Sequence, residues 1–142
     1  MTMTRDRRTE LLAAAPLLAG VDPAGLDRIA DRTVEVVFTD GHVIARQGEV
    51  GTGFFMIAGG GARVVRDGET IATLGPGDFF GELSVLDGRP RVAQVVAAGD
   101  TTCLALATWD LEGVVNDQPS VGLALLRGLA ERLRALTEAG RH

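Results

Sequence analysis

A mainly β fold, a small β-barrel or jelly roll (a double-stranded β-helix) with helices at both ends, is what this sequence predicts, on three observations. From residue 33 to residue 108, short runs rich in Val, Ile, Phe and Thr recur at roughly ten-residue intervals. Turn-forming clusters of Gly, Asp and Pro separate those runs, and most of the 19 glycines sit in them. In residues 5–32 and 109–139 the apolar spacing changes to three and four, the helical period. The 142 residues contain no linker, internal repeat or low-complexity tract, so the chain reads as one domain, 1–142.

In the leading helical segment, Leu11, Leu12 and Ala15 form a short amphipathic stretch that Pro16 interrupts. A second helix starts with Asp22 as N-cap and Pro23 in the first helical position, where a missing N–H costs nothing. Leu26, Ile29 and Ala30 then give it one buried face. The expected strands are Thr33–Phe38, His42–Arg46, Phe54–Ala58, Ala62–Arg66, Thr70–Leu74, Val92–Ala97 and Thr102–Ala107. Asp40-Gly41, Asp67-Gly68, Gly75-Pro76-Gly77-Asp78 and Gly99-Asp100 are among the turns that join them. A short helix opens at Trp109, read as a core anchor, and runs through Asn116 until Pro119 stops it. A longer helix follows with Ser120 as its N-cap. Leu126, Leu129, Leu133 and Leu136 lie three, four and three apart, an a/d seam that serves either a two-fold dimer or packing against the barrel.

Composition removes several functions. A net charge of -5 gives a field that repels nucleic acid and anionic membranes. All 14 basic residues are Arg, which removes the phosphate-loop lysine of nucleotide hydrolases and every Schiff-base mechanism. The single Cys103 allows no intrachain disulfide or multi-cysteine metal site, and its alternating context places it in an inert core. His42, a surface residue beside a turn, and His142 are too few for a histidine-rich centre, so no metal is expected. No export signal and no run of about 18 apolar residues is present, so a cytoplasmic protein without a membrane span is expected.

One segment concentrates chemistry: Gly77-Asp78-Phe79-Phe80-Gly81-Glu82-Leu83, then Ser84 to Arg89, then Pro90-Arg91-Val92-Ala93-Gln94-Val95. A strand ends at Phe80, Gly81 permits a sharp turn, and a single helical turn over 82–86 precedes an extended return through Arg91. Free N–H groups near Gly81 form an anion site. Arg91 adds a permanent charge able to grip a phosphate bidentately. Glu82 is an acceptor suited to a sugar hydroxyl, and apolar side chains nearby suit a flat ring. An anion, a hydroxyl donor and a flat ring describe a nucleotide. Taken alone, a Glu82–Arg91 pair also reads as a salt bridge closing a turn, but such a bridge needs neither Gly81 nor the Pro90-Arg91 spacing. Gly59-Gly60-Gly61 is followed by a strand, not a helix, so it is no dinucleotide loop.

This segment resembles the phosphate-binding cassette of the cyclic nucleotide-binding domain family, which includes bacterial catabolite activator proteins, regulatory subunits of cAMP-dependent protein kinase and nucleotide-gated channels. Its Phe-Gly-Glu-Leu, short loop and Pro-Arg-small-Ala-x-Val pattern is met from Phe80 to Val95. Pro16-Leu17-Leu18-Ala19-Gly20, the tract Gln47-Gly48-Glu49-Val50-Gly51, Gly60 before Ala62-Arg63-Val64, and the closing helix pair resemble the family too, so nearly the whole chain is covered. The resemblance implies a non-catalytic sensor that binds a cyclic nucleotide. Glu82 would hydrogen-bond the ribose 2′-hydroxyl. Arg91 would pair with the cyclic phosphate, helped by backbone N–H groups of Gly81, Leu83, Val92 and Ala93, while Val64, Ile71, Ala72 and Leu83 would wall the sugar and purine. Val92 stands where cGMP-selective members carry Thr, so cAMP is favoured over cGMP.

The chain stops at His142, with no helix-turn-helix after the long helix, so direct DNA binding is not expected. Output would run through the C-terminal helices, a homodimer through the long helix or an unknown downstream protein. Two other readings are a metal-dependent cupin enzyme, for which His42 is a single candidate ligand where several are needed, and a divergent module that keeps the fold but binds another small anion or only a protein partner.

Overall fold

The structure, a computed structural model, describes residues 3–51, 53–81 and 89–138, with the side chains of Arg132 and Leu136 outside that description. Eight antiparallel strands among these residues form two four-stranded sheets: β1 (Val34–Phe38), β2 (Val43–Ala45), β3 (Gly53–Gly59), β4 (Ala62–Arg66), β5 (Glu69–Leu74), β6 (Phe79–Phe80), β7 (Gln94–Ala97) and β8 (Thr101–Ala107). The sheet orders are β1-β8-β3-β6 and β2-β7-β4-β5, the double-sheet jelly-roll arrangement rather than one closed barrel. The expected strands are all present: β4 has the expected bounds, β3, β5 and β8 extend one residue further at one or both ends, and β1, β2 and β7 are shorter by one or two residues at their ends. His42 is excluded from β2, and Val92 and Ala93 precede β7 instead of belonging to it.

Alternation along β3 and β8 builds two cores, because successive side chains point to opposite sheet faces. Phe54, Met56, Leu104 and Leu106 join Phe79 against the helices, with Leu12, Leu18, Ile29, Val114 and Val121 opposite them. Ile57 and Cys103 turn the other way, between the sheets, with Ala45, Phe80 and Val95. Each fully buried Leu or Ile here contributes about 1.5–3 kcal/mol relative to exposure.

Helix α1 (Arg5–Ala14) is capped by the Thr4 hydroxyl, which accepts from the N–H of Arg7 at 3.2 Å. A 3₁₀ turn (Pro16–Leu18) follows. Helix α2 (Pro23–Arg32) starts as its sequence requires, the Asp22 carboxylate accepting from the N–H of Gly25 at 2.8 Å. Helix α3 (Thr108–Asp117) lies along α2, pinned by Arg28–Asp117 at 2.9 Å and Arg32–Asp110 at 3.3 Å. These exposed pairs add less than about 1 kcal/mol each but set the register of the two helices.

Two expectations are corrected here. Ser120 is not an N-cap: helix α4 runs Pro119–Glu138, because proline is itself favoured in the first helical position and Gln118 already ends α3. Trp109 is not a core anchor: it is 66% exposed, while Leu111 and Val114 supply the buried face of α3.

Helix α4 docks through small residues. Gly128 sits against the carbonyl of Leu17, where an added Cβ would lie 2.6 Å from that oxygen, and buried Ala124 faces Gly20. Leu123, Leu126 and Leu133 remain exposed on another side of the helix. Leu129 is half-buried, so the exposed stripe reads 123, 126, 130, 133 instead of passing through 129.

Candidate nucleotide-binding site

Sequence chemistry singled out the segment after β6, and the structure shows what surrounds its two described ends. Phe80 pairs with Phe55 in register and stacks on it, ring centroids 5.2 Å apart and planes 14° apart, which fixes where β6 ends. Gly81 follows with φ +87, a left-handed conformation open to glycine but costly for other residues. A Cβ there would lie 3.2 Å from the Gly53 carbonyl oxygen and 3.3 Å from Nη2 of Arg91. The glycine therefore serves both the turn and the approach of Arg91. Glu82 and Leu83, with the helical turn expected over 82–86, lie outside the described residues.

The backbone of Arg91 is held by the loop between β2 and β3. Its N–H donates to the Glu49 carbonyl at 2.8 Å, its own carbonyl accepts from the N–H of Gly48 at 2.8 Å, and Val50 bridges Pro90. Nη2 donates to the carbonyl of Gly53 at 3.1 Å. The guanidinium lies so close over Gly51 that any side chain there would collide with it. Nε is buried and makes no hydrogen bond. Burial pulls the Arg91 pKa down from its ordinary value, and the Glu49 carboxylate opposes that shift. Arginine stays charged regardless, so the result is a partly desolvated cation with donor capacity to spare. Such a group is built to receive an anion.

Register brings Val64, Ile71 and Ala72 onto neighbouring strands of the second sheet. Val64 faces Ala72 of β5 on one side and Val95 of β7 on the other, and packs against the inter-sheet core. Ala93, half-buried, leads directly into β7. Ile71 is the extra residue of a β-bulge, since Val64 pairs with Ala72 but Val65 with Thr70. Bulges re-aim side chains, and Ile71 is 49% exposed. Val92 is 71% exposed. Thus the structure joins Gly81 to Arg91 and pairs Val64 with Ala72, and leaves Ile71, Ala72 and Val92 open to solvent.

Glu49, Gly51 and Gly53 had no assigned part in the site. Their roles come from contacts across about forty residues of chain, and only the glycine spacing of the tract hinted at a close approach. A cleft of about 500 Å³ opens beside Arg91, bounded by Glu49, Val50, Gly51, Phe54 and Trp109. Among the described residues no group of three or more His, Cys, Asp or Glu side chains could hold a metal, and no helix is long and apolar enough to cross a membrane. Cys103 is fully buried, and its thiol is pushed up to about 11 by desolvation.

Known proteins resemble this chain in sequence and fold. The family profile of the cyclic nucleotide-binding domain matches residues 35–118. A CRP-like cAMP-activated global transcriptional regulator of Mycobacterium tuberculosis is 33% identical over 130 residues, covering 88% of this chain and 58% of the regulator. The chain thus spans little more than half the length of that curated relative. The N-terminal domain of a transcriptional regulator from Streptomyces coelicolor superposes with a TM-score of 0.79 and 32% identity, covering 91% of this chain and 93% of that one. The regulatory domain of Toxoplasma gondii PKA, crystallised with cAMP, gives a TM-score of 0.76 and 28% identity over 89% of this chain and 50% of that one. These relatives are regulators, not catalysts. With its jelly-roll order, its Gly81–Arg91 contact and a profile match over more than half its length, this chain belongs to the cyclic nucleotide-binding domain family.

Proposed function

We propose that this chain is a non-catalytic regulatory module that binds cAMP in preference to cGMP. The observation that carries the reading is Arg91, a partly desolvated cation with an unpartnered Nε, held against Gly81 at the two ends of the cassette. In this reading the cyclic phosphate takes Arg91 and the N–H groups of Gly81, Leu83, Val92 and Ala93. Glu82 accepts from the ribose 2′-hydroxyl, and Val64, Ile71, Ala72 and Leu83 enclose the sugar and base. Val92 offers no hydroxyl to the guanine amino group, which favours adenine. The cAMP named for the mycobacterial regulator and the Toxoplasma co-crystal supports the same choice.

Ligand in the cassette would act on α3 and α4, and no further than its differential affinity for the two helix positions allows. Two copies would pair through the exposed face of α4. The net charge of -5 disfavours a nucleic-acid backbone, so output would pass to a protein partner. Buried, unpaired Cys103 suits a reducing compartment, and we assign the module to the cytoplasm.

Calorimetric titration with cAMP, cGMP and 2′-deoxy-cAMP tests the assignment. The expected order is cAMP tightest, cGMP weaker, and 2′-deoxy-cAMP weaker than cAMP by the loss of one buried hydrogen bond, about 1–3 kcal/mol. No heat with any of the three at millimolar nucleotide overturns it, and a preference for cGMP overturns the choice of base.

A further inference from the structure

Gln47 and Asp67 are bonded in both directions: Nε2 of Gln47 donates to Oδ1 of Asp67 at 2.9 Å, and the N–H of Asp67 donates to Oε1 of Gln47 at 3.2 Å. Asp67 is the one non-glycine residue with positive φ (51°) among the described residues, at the tip of the β4–β5 hairpin. Gln47 lies in the loop whose next residues, Gly48 and Glu49, hold the backbone of Arg91. The hairpin carries Val64, Ile71 and Ala72, and β5 is an edge strand paired only with β4. One side-chain amide therefore ties the loop that holds the anion-binding cation to the free end of the wall expected to face the base.

We propose that Gln47 is a positioning residue for nucleotide binding, fixing the distance between Arg91 and the β4–β5 wall without touching the ligand. This rests on the cyclic-nucleotide reading of the site. A ligand that spans both sides is bound well only if both are held at one separation, and a tie at that span lowers the ordering cost of binding. The pair is exposed and competes with water, so its expected effect is modest. Loss of the tie in Gln47→Ala should weaken cAMP binding about two- to fivefold. Gln47→Glu sets two carboxylates against each other and should weaken it further. Adding Asp67→Asn to Gln47→Glu should restore affinity, because the new amide donates to the new carboxylate and asparagine tolerates positive φ.

Calorimetry with cAMP on these variants, alone and combined with Arg91→Ala, makes the test, with ligand-free melting temperature as the check on folding. The expected result is that the Gln47→Ala penalty largely disappears in the Arg91→Ala background, since there is then no cation to align with the wall. Equal affinity in wild type and Gln47→Ala overturns the inference, as does an equal penalty in both backgrounds, which a merely structural bond would give. Absence of cyclic-nucleotide binding by the wild-type chain overturns the functional reading first and this inference with it, so the two failures are distinguishable.

Discussion

Arg91 donates from Nη2 to the carbonyl oxygen of Gly53 at 3.1 Å, although 38 residues separate the two in sequence. A neutral carbonyl is a modest partner for a guanidinium, and Nε nearby has none. A phosphate offers charge-assisted bonds of about 1.5–3 kcal/mol. Arg91→Ala is accordingly expected to weaken cAMP binding about ten- to hundredfold. The ligand-free melting temperature should hardly move, because the lost carbonyl bond is offset by relief of a desolvated cation. Titration and thermal melts read the two quantities separately. Unchanged affinity would remove Arg91 from the phosphate site.

Gly51 is required for a different reason from Gly81. It does not adopt a left-handed conformation, so the obstacle to a side chain is the guanidinium of Arg91 lying over it. The far end of an arginine can move aside cheaply, whereas main chain cannot. Gly51→Ala should therefore fold normally while displacing Arg91, with a loss of cAMP affinity approaching that of Arg91→Ala. The double variant should be no weaker than Arg91→Ala alone, because both act on one group. Additive losses in the double variant would show that Gly51 acts on the ligand independently.

Strands and turns were legible in the sequence because both signals are local: period-two apolar runs, and Asp-Gly or Gly-rich pairs where the chain reverses. Gly41 and Gly68, read as turn residues, have positive φ as expected. The contact between Gly81 and Arg91 was within reach of the sequence because the segment that holds both is nearly contiguous. The Gly48–Gly53 loop was visible only as a turn, since its function depends on contact with residues about forty positions away. The bulge at Ile71 left no local mark either. Trp109 misled because aromatic bulk predicts burial on average, and here Leu111 and Val114 satisfy the α3 interface without it. The four leucines left open which face of α4 docks, because the small residues Ala124 and Gly128 decide it.

Cys103 provides a pH test of the inter-sheet core. Its pKa rises from 9.0 to about 11 through burial, so the folded chain keeps the proton that the unfolded chain loses. The corresponding stability is fully present below pH 9 and is lost as pH rises toward about 11. Denaturant midpoints across that window should fall in the wild type and fall less steeply in Cys103→Ala. At pH 8 the native thiol should resist an aromatic disulfide reagent until the chain is unfolded. Rapid labelling of native protein would show that the two sheets open on the timescale of the reaction.

The exposed face of α4 makes the most direct prediction about assembly. Leu123 is 49% exposed, Leu126 64% and Leu133 65%, and with exposed Ala130 they fall at the three-four-three spacing of a coiled-coil seam. The other side of the helix is committed, since Gly128 packs on the Leu17 carbonyl and Val121 and Ala124 are buried. The stripe is therefore free to meet its two-fold mate without undocking the helix. Two heptads are marginal alone, so the dimer should be concentration-dependent, with a midpoint that cAMP shifts if the nucleotide biases the position of α4. Light scattering with and without cAMP measures both. Leu126→Arg should give a monomer at every accessible concentration while cAMP affinity stays near wild type, because the residue is solvent-exposed and does not line the cleft beside Arg91. Gly128→Ala should act differently: the methyl meets main chain and moves the docked helix, so the melting temperature falls along with assembly. A wild-type monomer at high micromolar concentration in both ligand states would assign the leucines to some other partner.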